Sequence, residues 1–523
     1  MRGKLTFQPA NSWFLISPRH HNASLSPAFR QVDTVRYTHN GPRQQANPPF
    51  GPGTGSGSGY ATTNPTAPFT AHSPPPPLSI FPLSKILRSL CVTTISSSPI
   101  LFTPSLTFLS AVAGSKSPLL SPDHNPILKT ILSQTLYAQF CAGETPAEVK
   151  VSINSLKKLG FRGVILGYAK EIVMDEKEIE SLGQAKDDDE KSLAAAQADI
   201  SSWKQGTLAT VDLADAGDFV AIKFTGAGKG SLRQLVHRQP PLAALEQGMV
   251  EICERAKARN VRLLIDAEQQ AFQPSIDDWA LGFQRRYNRS GPAGDPGALV
   301  YGTYQAYLRS TPATLRGHMA VAAAEGFSLG VKLVRGAYLG TEARELIWDR
   351  KEGTDKAYDD IAESLIRRRY GGVLRTDLSH ESSSSSETSQ FPTVDLVLAS
   401  HNRVSVQRAL AIRNEQMRAG SQRIEMAYGQ LSGMADDISC ELVQRGKLAR
   451  ERNGAGAGAG GADGLELEVP KAYKYLVWGS VGECTRYLLR RAEENRDAAA
   501  RTEETRRAMG RELWRRVRGG FYG

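Results

Sequence analysis

Near the end of the chain, Tyr487-Leu-Leu-Arg-Arg-Ala-Glu-Glu-Asn495 sets four chemically useful side chains at helical spacing. Read as a helix, Tyr487, Arg490, Arg491 and Glu494 fall at i, i+3, i+4 and i+7, which is one face. Two adjacent guanidiniums there form a double fork for a carboxylate or a phosphate. Arg suits this better than Lys because its planar donors pair with both oxygens at once. Glu494 is placed to hold either Arg, and Tyr487 adds a ring and a hydroxyl one turn earlier. The same spacing also describes a solvated face laced by Arg490–Glu494 and Arg491–Asn495 pairs, each stabilising by roughly 0.2–0.5 kcal/mol. Other polar groups converging on the same place would decide between the two.

Such groups recur at the ends of apolar runs. Lys223 ends Phe219–Phe224, Asp266 and Glu268 end Val261–Asp266, and Gln305 follows Leu299–Tyr304. Lys332, Arg335 and Tyr338 lie on and after Leu329–Val334, His401-Asn402 follow Val394–Ala399, and Tyr475 lies within Lys474–Trp478. A strand interior tolerates few charges unless they are paired or open at a mouth. One such residue means little, but so many at corresponding positions argue for a lined pocket.

With Phe161–Tyr168 and Ile424–Tyr428 the apolar runs number eight, and helical stretches such as 242–258, 314–325 and 404–416 lie between them. Eight strands alternating with helices imply an α/β fold, a (β/α)8 TIM-type barrel with its site at the C-terminal strand ends. Before the barrel, 78–160 reads as a helical arm. Ile127, Ile131, Leu132, Leu136 and Phe140 have helical spacing there, and a second helix starts at Glu144-Thr-Pro146 and stops at Leu159-Gly160. The barrel occupies 161–496, and 497–523 reads as an Arg-rich C-terminal helix. Three segments, 175–217, 376–392 and 451–466, have the composition of solvated insertions or linkers.

The net charge of +10 suggests nucleic acid at first sight, but its distribution argues against that partner. Residues 1–122 carry nine Lys/Arg and one acid, and 486–523 carry eleven Arg and six acids, which leaves the body slightly acidic. No basic stripe interleaved with aromatics is visible. Residues 1–77 are rich in Gly, Pro and Ser and read as disordered. Their Arg and Ser with a single acid fit a mitochondrial targeting segment or a plain tail. Ser89–Ala113 is uncharged but broken by Pro99 and Pro104, so short helices packing on the body or touching a membrane surface are expected rather than a span. The five scattered cysteines read as free thiols. Gly226-Ala-Gly-Lys-Gly-Ser231 lacks the phosphate-loop spacing, and no zinc or metal-ligand spacing is present.

Taken together, Phe140-Cys-Ala-Gly-Glu144, Ile265-Asp-Ala-Glu268, Lys332-Leu-Val-Arg-Gly-Ala-Tyr338, Ser400-His-Asn402, Gln430-Leu-Ser-Gly-Met434 and Tyr487–Asn495 resemble the proline dehydrogenase family, in its eukaryotic, fungal-like branch. The resemblance covers about 80–523. It implies a distorted barrel with its last helix over the mouth, noncovalent FAD, and oxidation of L-proline to Δ1-pyrroline-5-carboxylate. It also implies ubiquinone as acceptor and a peripheral place on the matrix side of the inner mitochondrial membrane. By the same resemblance Arg490, Arg491 and Lys223 grip the substrate carboxylate and Glu494 orients the Arg pair. Asp266, Tyr338, Leu431, Tyr475 and Tyr487 complete the pocket. Lys332 stands near the reactive edge of the flavin, and Gln305, Val334, Gly336, Ala337, Ser400, His401 and Asn402 are flavin-contacting positions. Tyr475 goes with proline, since the hydroxyproline branch carries a smaller residue there; hydroxyproline oxidation and an inactive barrel serving as a binding protein remain as alternatives. No dedicated base for the substrate amine stands out. Trp478 and Ser480 depart from the family pattern, so a differently shaped loop is expected after the last strand.

Overall fold

The computed structural model describes residues 76–115, 117–184, 190–289, 297–375, 391–454, 466–497 and 499–521. Eight parallel strands close into a barrel in chain order. They are β1 (Gly163–Tyr168), β2 (Phe219–Ile222), β3 (Arg262–Ile265), β4 (Val300–Gln305), β5 (Leu329–Val334), β6 (Val394–Ala399), β7 (Met426–Leu431) and β8 (Ala472–Trp478). Each expected apolar run is a strand, and β5 and β6 match their expected bounds residue for residue. The runs are legible because parallel strands covered on both faces must be apolar on both. β1 closes on β8 with Ile165 opposite Tyr475.

Alternate residues fill the interior, among them Ile165, Phe219, Leu264, Tyr301, Val397 and Tyr473. Their neighbours Val164, Val220, Leu263 and Val331 pack outward under helices. At the N-terminal end Phe219 meets Tyr301 and Tyr473 edge-on, with ring centres 5.6 and 5.0 Å apart, and the Arg262 guanidinium lies 4.0 Å from the centre of the Phe219 ring. That end is plugged, which leaves the C-terminal strand ends as the open mouth.

One expected insertion is part of the barrel wall. Within 175–217 the chain forms a helix over Glu190–Leu213 that buries Ile200, Trp203 and Val211 against the sheet. Its Ala, Lys and Glu content, read as solvated linker, is also good helix-forming composition, and the apolar stripe is thin enough to be overlooked. Most of the other two expected insertions, 376–390 and 455–465, and the expected targeting region 1–75 lie outside the described residues.

The arm contains helices Leu83–Ser97, Pro99–Gly114, Pro126–Leu132 and Pro146–Lys158. Of the residues at helical spacing, Leu132 and Phe140 are buried while Ile127 and Ile131 are exposed, and Leu128 faces inward in their place. Spacing alone fixes the helix but not which neighbour its stripe meets. The fourth starts with a reciprocal Thr145–Glu148 cap.

After β8 the chain turns at Gly479 (φ +144) into the mouth helix, Val481–Asp497. Ser480 and Glu483 cap this helix reciprocally, Glu483 N donating to Ser480 Oγ and Ser480 N to Glu483 Oε2. Carboxylates of Glu144 and Asp123 take the N–H groups of Val481 and Gly482, where the helix dipole favours negative charge. Trp478 donates to Thr210 Oγ1 at 3.0 Å and stacks at 5.4 Å on Tyr168. The two departures from the family pattern thus cap the mouth helix and tie β8 to the helix Glu190–Leu213. The terminal helix, Ala499–Phe521, packs along Leu83–Ser97, and Arg516 donates to the carbonyls of Leu78, Ser79 and Phe81.

Candidate active site

The mouth helix brings Arg490 over the open end of the barrel. Its Nη2 lies 2.6 Å from Glu171 Oε1, and its Nη1 donates to the Tyr338 hydroxyl at 3.2 Å. Lys223, just past β2, pairs with the same Glu171. Glu171 itself follows β1 and is buried. Burial pushes its carboxyl up, but Arg490 and Lys223 outweigh that and hold it at about 2. Arg491, also buried, lies with its guanidinium 5.0 Å from the Tyr487 ring centre. The backbone of Lys223 is held in turn by Trp203, whose indole donates to the Lys223 carbonyl at 2.9 Å.

A second set sits on the barrel axis. Lys332 on β5 pairs with Asp266 at the end of β3, and the Tyr475 hydroxyl on β8 donates to Asp266 Oδ2 at 2.8 Å. All three are buried, and the Lys332 ammonium stands 5.3 Å from the Tyr475 ring centre. Tyr475 fits because β1 has Gly167 beside it: a Cβ there would stand 2.9 Å from the Tyr475 hydroxyl oxygen. Burial holds the hydroxyls of Tyr338 and Tyr475 protonated, well above the usual tyrosine range. Glu268, two residues past Asp266, accepts from the Thr225 amide and hydroxyl; burial still pushes its carboxyl up to about 7, with Thr225 and Lys223 opposing.

Around the far side of the mouth, Gln305 accepts from the Ala337 amide at 3.3 Å and its side-chain amide donates to the Glu268 carbonyl. His401 Nε2 accepts from the Leu431 amide at 3.1 Å, so that nitrogen carries no proton. Ser400 Oγ accepts from the Asn402 amide. Asn402 has a local duty as well, since its side chain caps the helix Arg403–Arg418. Gly336 has φ +151, and a Cβ there would fall 2.4 Å from the Tyr307 ring. Val334 is half-buried at the end of β5. The side chain of Glu494 lies outside the described residues.

Three participants were missing from the residues singled out in the sequence. Glu171 lies three positions past β1, where a carboxylate at a strand end was the available signal. Thr225 is an unremarkable threonine. Lys474, fully buried and paired at 2.7 Å with the equally buried Asp436, donates to the carbonyls of Leu431 and Met434 and so fixes the loop after β7. Gln139 of the arm holds the same loop through Ser432 and Gly433. Among the described residues no group of His, Cys, Asp and Glu is arranged to hold a metal ion.

Three cations, one shared carboxylate and tyrosine walls at a half-buried mouth suit a small anion with an apolar body. A family model described as proline dehydrogenase matches residues 149–504. The chain is similar to a probable mitochondrial proline dehydrogenase of Schizosaccharomyces pombe, 28% identical over 421 residues, covering 73% of this chain and 80% of that one. It is also similar to a hydroxyproline dehydrogenase of Bos taurus, 27% identical over 427 residues, covering 74% and 82%. In fold it is similar to proline utilization A of Bdellovibrio bacteriovorus, with TM-score 0.53 and 14% identity, over 79% of this chain and 40% of that one.

Proposed function

Since the chain belongs to the proline dehydrogenase family, we propose that it oxidises L-proline to Δ1-pyrroline-5-carboxylate, with FAD at the barrel mouth and ubiquinone as electron acceptor. The observation that carries this reading is the convergence of Lys223, Arg490 and Arg491, from the second strand end and the last helix, beside Tyr338, Tyr475 and Tyr487.

In this reading the three cations bind the proline carboxylate, each by charge-assisted hydrogen bonds. Glu171 orients Lys223 and Arg490, and Tyr338 sets the angle of the Arg490 guanidinium. The rings of Tyr475 and Tyr487 hold the pyrrolidine ring in one orientation and exclude water, which is where most of the gain from positioning lies. Leu431 closes the apolar side.

The residues at the ends of β4 to β6 fit FAD. Lys332, Gln305 and Ser400 are buried polar groups beneath the mouth, while Gly336 and Ala337 are exposed above them. A glycine backbone there lets a flat ring system approach closely, and His401, Asn402 and Val334 border the same opening. When bound, FAD supplies the two-electron chemistry. Lys332, held in place by Asp266, would present positive charge to it.

Proline is favoured over hydroxyproline because the buried Tyr475 ring leaves little room for a 4-hydroxyl. The same reading puts the protein in the mitochondrion, peripheral to the matrix side of the inner membrane. A visible spectrum of the purified protein before and after anaerobic L-proline tests the central claim. Bleaching of a flavin band is the expected outcome; a flavin band that proline leaves unchanged, or none after FAD is added, overturns it.

A further inference from the structure

The helix Pro99–Gly114 has no charged residue in its sixteen. Its inner side, with Leu109 and Val112, packs into the cluster that holds Tyr487 and Leu488 of the mouth helix. Its outer side leaves Ile100 (84% exposed), Leu101 and Phe108 in the open. Further along the arm Leu119 (77%), Ile127 (73%) and Ile131 are exposed as well. Among the described residues, ten of the eighteen exposed large apolar side chains fall between Leu83 and Ile131. A concentration of that kind marks a surface built to be covered.

The charges nearby indicate by what. No Asp or Glu occurs from residue 83 to 122, where the only charges are Lys85, Arg88 and Lys116. The terminal helix, packed along Leu83–Ser97, exposes Arg507, Arg511, Trp514 and Arg518 at i, i+4, i+7 and i+11, a single face. Arg518 lies over the Trp514 ring at 5.0 Å. Apolar side chains, guanidiniums and an exposed tryptophan are the set that suits the boundary of an anionic bilayer, with acyl chains, phosphates and headgroups each finding a partner. A second copy of this chain would fit worse, because pairing two such faces sets arginines against arginines.

We propose that the outer face of Pro99–Gly114, acting together with the exposed Leu119, Ile127 and Ile131 of the arm and with Arg511, Trp514 and Arg518 of the terminal helix, is the surface on which this protein lies on an anionic phospholipid bilayer. No single described helix is long and apolar enough to cross a membrane; Leu83–Ser97 and the next helix are so only together, across a 97° bend, and the contact proposed is with the bilayer surface. The mouth helix lies directly behind Pro99–Gly114. Docking here therefore sets the substrate mouth close to the lipid phase, where a lipid-soluble acceptor resides. This deepens the peripheral-membrane and quinone reading above and rests on it.

Flotation of the full chain decides the matter, using vesicles of phosphatidylcholine alone and of phosphatidylcholine with phosphatidylglycerol. Dye-linked proline oxidation in solution serves as the check on folding. The wild type is expected to float with the anionic vesicles. Leu101→Glu/Phe108→Glu is expected to stay at the bottom with dye-linked activity intact, and Val404→Glu, an exposed apolar site on another helix, to float as the wild type does. Arg511→Gln/Arg518→Gln is expected to weaken anionic-vesicle binding about five-fold per arginine. If Leu101→Glu/Phe108→Glu loses dye-linked activity, Ile127→Gln/Ile131→Gln takes its place with the same expectation. Flotation of these variants equal to wild type overturns this face while leaving membrane association standing. A wild type that floats with neither vesicle overturns both, as does one that sediments as a dimer which Leu101→Glu/Phe108→Glu dissociates.

Discussion

Arg490 Nη2 and Glu171 Oε1 stand 2.6 Å apart, joining the mouth helix to the end of β1 across most of the chain. Lys223 shares the same carboxylate. Glu171→Gln leaves two cations side by side with their common counter-charge gone. Breaking a buried pair in this way costs roughly 3–5 kcal/mol. Denaturant unfolding should show a loss of that order, and the double variant Glu171→Gln/Arg490→Met should lose less than the sum of the singles. In acid, the contribution of Glu171 is fully present above 4.5 and disappears as pH falls through about 2.

Replacing Arg490 and Arg491 together by Met removes two of the three cations proposed to bind the proline carboxylate. Steady-state kinetics should show proline binding weakened by about 2–5 kcal/mol, with flavin absorbance per protein unchanged. Unaltered proline kinetics would leave the pair with a structural role only.

Tyr475 carries both a packing role and a hydrogen bond to Asp266, and the two separate by substitution. Tyr475→Ser should raise the ratio of kcat/KM for hydroxyproline over proline by at least about ten-fold, the usual value of pocket space for one small group. Tyr475→Phe keeps the ring and should leave that ratio alone, while costing about 1–3 kcal/mol because Asp266 Oδ2 loses its buried donor.

Glu268 reverses the pH behaviour of Glu171. Its carboxyl rises from 4.5 in the unfolded chain to about 7 when buried, so the fold prefers the protonated form. The wild type should lose stability as pH climbs from about 4.5 to about 7, by on the order of 3 kcal/mol relative to Glu268→Gln. Asp277 and Asp395, pushed by burial to about 7 and about 6, slope the same way and persist in the variant. Unfolding curves of the two proteins that run parallel across this window would refute the assignment.

Gly336→Ala places a methyl 2.4 Å from the Tyr307 ring on backbone at φ +151. Either the loop after β5 moves or Tyr307 does. The expected result is a lowered flavin content at purification together with about 1–3 kcal/mol of lost stability.

The strands were legible because a covered parallel barrel demands apolar runs, and polar residues at their ends stood out against them. Lys223, Asp266, Lys332 and Tyr475 were found in this way, and the structure joins the last three through one carboxylate. Glu171 has only its place past the end of β1 as a signal, and its meaning comes from Lys223 and Arg490, which the chain reaches later. The helix Glu190–Leu213 escaped because composition was weighed there and the spacing of Ile200, Trp203 and Val211 was not. Ile127 and Ile131 show the limit of periodicity: their spacing with Leu132 is helical, but only the neighbours decide that Leu128 and Leu132 turn inward and the two isoleucines outward.

Gly167 makes space for Tyr475 without touching anything else of consequence in the site. A side chain at 167 would push on the hydroxyl of Tyr475, whose ring is proposed to select the substrate, so substitutions at the two positions are coupled. Placing tyrosine at 475 in this way needs glycine at 167, whereas replacing the tyrosine by a small residue makes no demand on 167. On the proposed role of Tyr475, selectivity at this mouth is easier to lose than to regain, and the asymmetry traces to a residue with no side chain.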